Sequence, residues 1–213
     1  MIFPTNVFAA ALAAAASALA AAPAFAHHAM GGETPGTAFE GFVSGLAHPV
    51  IGIDHLAFVV AIGIIAAFTR IRRAGPAIFV AATLGGCLAA VGGLALSFGE
   101  LAVALSVVLA GCLALSGRSL PVGALGVLFA LAGFFHGLAY GGAIVGAEQT
   151  PLLAYLLGFG LIQFAMASIA GLVARTTAGA EGARAVGPRL AGALAAGIGV
   201  AILFEQVEGL IFA

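Results

Sequence analysis

From residue 40 onward the chain alternates between long apolar blocks and short breaks rich in polar residues, glycine or proline. The blocks predict helices at 49–68, 76–97, 101–116, 121–146, 151–174 and 189–212. Each approaches the roughly 20 residues that cross the hydrocarbon of a bilayer, where only structures that satisfy their own backbone survive. Proline stands at or just before the start of five of them, as Pro49, Pro76, Pro121, Pro151 and Pro188. There its missing N–H costs nothing and its fixed φ suits a first helical turn. The stretch A-F-E-G-F-V-S-G-L-A, which leads into His48, reads as a short interfacial helix. Gly133, Gly137 and Gly141 recur every fourth residue of the fourth block, a small-residue stripe that lets a neighbouring backbone approach. The expected fold is therefore all-α, a polytopic transmembrane helix bundle of six spans.

Composition strengthens this picture. The chain has 213 residues, 63% of them hydrophobic and 7% charged, without lysine or tryptophan. A soluble domain carries about a quarter charged residues. The formal net charge of −1 offers nothing to nucleic acid. Cys87 and Cys112 fall in apolar blocks without metal-type spacing and read as small, buried packing residues.

The alanine-rich start, residues 1–26, ends in Ala24-Phe25-Ala26, a small-x-small cleavage signature, though it lacks basic side chains. It reads as a cleaved signal peptide, with a retained extra helix as the alternative. The organisation expected is 1–26 signal peptide, 27–48 periplasmic segment with the interfacial stretch, and 49–213 six-helix domain. All seven basic residues then fall in alternate loops. Arg70, Arg72 and Arg73 follow the first span, Arg118 the third, and Arg175, Arg184 and Arg189 the fifth. Positive residues mark the cytoplasmic side, so the mature N-terminus is expected in the periplasm and the protein in a bacterial inner membrane.

Polar chemistry concentrates in H-P-V-I-G-I-D-H, residues 48–55. Counting 1.5 Å per residue from Pro49 places Asp54 and His55 about 7–10 Å below the outer face. The same count puts His136 about 15 Å, Tyr140 about 9 Å and Glu205 about 10 Å from the outer ends of their spans. A carboxylate at bilayer depth costs about 2.5–3.5 kcal/mol, and such groups face the bundle interior with a partner. No arginine lies at that depth, which leaves a cation. Imidazole with carboxylate suits nickel, cobalt or zinc, and less well iron or manganese. His48, Asp54, His55 and His136 are the candidate metal residues. Glu148 and Glu205 are weaker candidates, readable equally as a loop residue and a solvated edge. In a continuous helix His48 and His55 stand about 10 Å apart. Pro49 as first helical residue would leave His48 extended and able to fold back toward Asp54 or His55. Either one compact site or two stepping sites follow. Cleavage after Ala26 would expose His27 and His28 beside Glu33 and Glu40, either a collecting patch or a solvated tail.

At these residues the chain resembles the HupE/UreJ family of bacterial membrane proteins. The family's first-helix signature, a histidine, five residues, then Asp-His, is matched by His48, P-V-I-G-I and Asp54-His55. Its fourth-helix pattern, F-H-G-x-A-H-G-x-E, is matched at Phe135, His136, Gly137, Ala139 and Gly141. Tyr140 stands where the pattern has histidine, and Ala143 where it has glutamate, so Tyr140 and Glu148 enter as substitutes. The resemblance implies nickel or cobalt uptake linked to the maturation of hydrogenase or urease. The expected partners are the lipid bilayer and a divalent transition metal ion as cargo, with no prosthetic group and no nucleic acid. No ATP-binding loop occurs, and a doubly charged ion gains about 4.6 kcal/mol per 100 mV on moving inward. A secondary permease or facilitator is the leading expectation. An intramembrane metallohydrolase, a metal receptor without transport, and an exporter are the alternatives. An inner route would have to use Thr83, Ser168, Cys112 or Met166.

Overall fold

The structure, a computed structural model, describes residues 33–212. The leader, His27 and His28 lie outside the described residues. Within them the chain folds into α1 (Ala38–Ile51), α2 (Ile53–Ala67), α3 (Ala74–Val91), α4 (Gly99–Ser116), α5 (Val122–Gly141), α6 (Gln149–Ala178) and α7 (Val186–Phe212). A 3-10 segment, Gly179–Arg184, joins α6 to α7.

Helix α1 starts well before Pro49, because Thr37 and Glu40 close a capping box. The Glu40 amide donates to Thr37 Oγ1 at 3.2 Å, and Glu40 Oε2 accepts from the amides of Thr37 at 3.1 Å and Gly36 at 2.9 Å. These bonds satisfy donors that a helix start would otherwise leave orphaned. Glu40 is thus engaged in the cap rather than in a collecting patch. Pro49 is not a first-turn residue: it lies inside α1, near the end, with His48 helical and buried. Proline removes one i→i−4 bond, and the helix stops two residues later at Gly52, whose φ of −73° and ψ of 105° are extended. The Gly52 amide still donates to the His48 carbonyl at 3.3 Å, and the Leu56 amide to the Gly52 carbonyl at 2.9 Å, starting α2. The two helices meet at 80°.

Close glycine contacts give the direction of this pair. Gly41 lies against the Pro151 carbonyl, Gly45 against the Tyr155 carbonyl, and Gly63 against the Ala167 carbonyl. The numbers rise together, so α1 and then α2 accompany α6 along its length in the same sense. Together they make one broken span, and five long apolar helices supply the others. The same contacts show α3 and α5 running parallel, Gly133 on Phe79 and Gly137 on Thr83, as the glycine stripe foretells. Helices α4 and α7 run antiparallel, Gly111 on Ala196 and Gly192 on Leu115. All three senses fit six alternating crossings.

Helix α2 is the centre of the bundle and buries nearly every side chain, from Phe58 through Ile62 to Ala67. Lipid-type residues, among them Leu109, Leu131, Leu157, Ile169, Leu194 and Phe204, are exposed on the surrounding helices. Cys87 is buried as expected, but Cys112 is exposed, turned outward with this apolar surface. Helix α5 ends at Gly141 rather than near 146. Turns follow, and Gly146 adopts a φ of 84°.

The arginines collect at one end. Arg118 and Arg184 line a cleft with Phe68 and Glu181, Arg72, Arg73 and Arg175 line another between α2 and α6, and Arg189 Nε donates to the Leu115 carbonyl at 3.0 Å.

Candidate metal centre

The break at Gly52 creates the site. It ends α1 just after His48 and begins α2 just before Asp54 and His55, so three polar groups from two half-helices enter the bundle interior. All three are almost completely buried, and His136 of α5 is fully so. A continuous helix could not gather them, since side chains six and seven positions apart stand about 9–10 Å apart along an unbroken axis. The centre therefore lies at a break between two helices and not in the first turn of a helix beginning at Pro49.

His55 and His136 meet directly, Nδ1 to Nδ1 at 2.9 Å. Ser106 on α4 fixes the proton arrangement of this pair. Its hydroxyl donates to the Val103 carbonyl at 2.7 Å, so toward His136 Nε2, at 2.9 Å, it acts as the acceptor. His136 therefore carries its proton on Nε2, and its bare Nδ1 accepts from His55 Nδ1–H. A serine that orients an imidazole in this way leaves the opposite nitrogen facing the site, the arrangement metal-ligating histidines require. Phe58 stacks on His136 at 4.2 Å between ring centroids, and Phe79 meets it edge-on at 6.2 Å. The two rings close the apolar side of the pair.

His48 is held apart from that pair by Tyr155 of α6. The Tyr155 hydroxyl bridges His48 Nδ1 at 2.9 Å and the Tyr140 carbonyl at 3.4 Å. Tyr140 fills the space between the histidines: its ring lies 4.9 Å from that of His48 and 4.1 Å from that of His55, with Phe159 behind it at 4.4 Å. Gly52 borders the cluster closely, since a Cβ there would fall 2.7 Å from His55 Cδ2 and 3.3 Å from Asp54 Oδ1.

Of the expected residues, the fold thus brings His48, Asp54, His55, His136 and Tyr140 into one buried neighbourhood. Among the described residues no three His, Cys, Asp or Glu side chains stand close enough to hold a metal ion together. The shared contact is the His55–His136 pair. Glu148 lies elsewhere, exposed as the N-cap residue of α6 without a side-chain capping bond, and Glu205 is exposed on α7. Thr83, expected on an inner route, donates instead to the Phe79 carbonyl of its own helix at 2.7 Å. Three neutral groups enter unexpectedly: Ser106, Tyr155 and Gln163. Their signal was present as isolated polar residues in apolar helices, with Tyr155, Phe159 and Gln163 spaced by four along one face of α6.

The comparisons with known proteins agree with this architecture. The model of the family described as HupE / UreJ protein matches residues 14–202. Protein HupE of Rhizobium leguminosarum bv. viciae is 29% identical over 172 residues, covering 75% of this chain and 87% of that protein. No solved structure matches the chain. A family match over nearly the whole length, on a multi-pass helical bundle that buries both matched motifs in one place, shows that the chain belongs to the HupE/UreJ family.

Proposed function

We propose that this protein carries a divalent transition metal ion, nickel or cobalt before others, across the inner membrane as a secondary permease or facilitator. The observation that carries the reading is the broken span that sets His55 against His136 in the bundle interior. Discontinuous helices at depth are the device by which transporters expose polar termini to an ion without exposing backbone to lipid. The C-terminal end of α1, with its partial negative charge, favours a cation, and Asp54 offsets the opposing N-terminal end of α2.

The His55–His136 Nδ1 spacing of 2.9 Å is that of a hydrogen bond, and it sets two imidazole nitrogens close enough for one ion with bonds of about 2.05 Å to reach both. To offer both Nδ1 lone pairs to an ion, His55 would carry its proton on Nε2 instead of Nδ1, and Asp54 would supply negative charge beside the rings. His48, held by Tyr155, serves the approach from the α1 side, so the arrangement favours stepping over one four-residue cage. The gathering of Arg72, Arg73, Arg118, Arg175, Arg184 and Arg189 at one end, with Arg70 in the same loop as the first two, supports an orientation with that end in the cytoplasm, and hence uptake. The exposed Glu148 and Glu205 are not ligands in this scheme, and nickel delivery to a maturing metalloenzyme would be its use.

The test is influx into proteoliposomes loaded with a metal-quenched dye and challenged with nickel, cobalt, zinc, iron and manganese. Wild-type influx of nickel or cobalt, abolished by His55→Ala and by His136→Ala, is the expected result. Metal binding without influx in wild type would replace transport by a receptor role.

A further inference from the structure

The α6 wall of the site carries an amide that the scheme above does not use. Gln163 is fully buried, and neither Oε1 nor Nε2 has a hydrogen-bond partner among the described residues. The Tyr140 hydroxyl and Asp54 Oδ1 are in the same condition. The Tyr140 ring packs on His55 at 4.1 Å and on Phe159, one turn before Gln163, at 4.4 Å, while Asp54 Oδ1 and the His55 ring both border Gly52; the Tyr140 hydroxyl is thus on the side of Gln163 and Asp54. The other buried polar side chains named above, Thr83, Ser106, Tyr155 and His136, all make hydrogen bonds. Among the described residues the unsatisfied buried side-chain atoms all belong to Asp54, Tyr140 and Gln163, on α2, α5 and α6.

An orphaned buried polar group costs about 1–3 kcal/mol, and native proteins rarely keep one without a partner. Tyr140 and Gln163 can satisfy one another only in part, and the donors and acceptors left over call for a ligand that both donates and accepts. The set comprises a carboxylate oxygen, a phenol, an amide oxygen and an amide NH2, rich in oxygen and poor in charge. That chemistry suits water better than a bare cation. A six-coordinate ion on two imidazoles has positions left for oxygen, and such ions part with water reluctantly. Gln163 is well placed for this, since α6 side chains lean back toward the helix start and so toward Tyr140.

We propose that Gln163 and Tyr140, with Asp54 Oδ1, form a water-holding subsite that grips the hydration shell of the divalent ion bound by His55 and His136. The ion is then handled six-coordinate and partly hydrated rather than stripped. This rests on the metal reading of the imidazole pair and adds Gln163, two turns beyond Tyr155 on α6, to the groups that select the ion.

Co2+ binding to the purified full chain in lipid nanodiscs tests it, read by calorimetry and by visible absorption. Six-coordinate Co2+ absorbs weakly and four-coordinate Co2+ strongly. Gln163→Met keeps the volume and loses the amide; Tyr140→Phe loses one oxygen. Wild type is expected to show weak bands, and each variant to bind about tenfold more weakly with intensified bands, as for loss of groups that orient a metal's ligands. Unchanged affinity in both variants, or weaker binding with an unchanged spectrum, overturns the subsite while the imidazole pair stands. If Gln163→Met fails to fold, Tyr140→Phe decides by the same two readings. A wild type that binds no Co2+, or His55→Ala binding it as wild type does, removes the metal reading and the subsite together.

Discussion

Alanine at position 52 separates the geometry of the metal centre from its ligands. Gly52 has φ −73° and ψ 105°, values an alanine adopts without strain. Replacing glycine at such a position adds about 0.4–1 kcal/mol of stability through the unfolded chain. The new Cβ would, however, fall 2.7 Å from His55 Cδ2. Carbon atoms in contact prefer about 3.5–4.0 Å, so the ring must move by about 1 Å. Its Nδ1 lies 2.9 Å from His136 Nδ1, and the movement takes the pair out of hydrogen-bond range. Metal–ligand distances tolerate only about 0.2 Å, so an ion loses one imidazole or binds it badly. A penalty of about 10–100-fold in metal affinity follows, about 1.4–2.7 kcal/mol. The broken buried hydrogen bond costs about 1–3 kcal/mol against that gain, so Gly52→Ala should fold but melt below the wild-type temperature, and should bind nickel or cobalt and fill proteoliposomes far less well. Wild-type influx by a folded Gly52→Ala protein would refute the claim that the break holds His55 in register.

Other residues give separable expectations. Ser106→Ala removes the acceptor that fixes the His136 tautomer and should weaken metal binding about tenfold by calorimetry, with the helical circular dichroism unchanged. Gly137→Val would drive a side chain into the Thr83 carbonyl, prising α3 from α5 at about 1–3 kcal/mol, visible as a lower thermal midpoint. Glu148→Gln and Glu205→Gln touch exposed positions and should leave influx within about twofold of wild type.

Hydrophobic blocks, proline positions and arginine placement made the bundle and the sense of its crossings legible in the sequence, because insertion into lipid constrains all three. The first span was not. Pro49 reads naturally as a helix start, but Thr37 and Glu40 had already capped a helix upstream, and proline then fell where α1 was about to end. That shift moved His48 from an extended lead-in to a helical position. The His48, Asp54, His55 and His136 neighbourhood was legible because ionisable groups in apolar surroundings are conspicuous. Ser106, Tyr155 and Gln163 were not, since neutral polar residues in a span usually bond their own helix, as Thr83 does. Only tertiary packing reveals that Ser106 faces His136 and that Tyr155 reaches His48. Glu205 illustrates the reverse error: depth counted along one helix does not say which face the side chain occupies.

X-ray absorption of the nickel- or cobalt-loaded protein tests the central claim most directly, because it counts imidazole ligands. The wild-type ion should show two imidazoles with oxygen in the remaining positions of a six-coordinate shell, and His55→Ala or His136→Ala should each reduce the count to one. An ion without imidazole ligands, or a spectrum indifferent to both substitutions, would contradict the account.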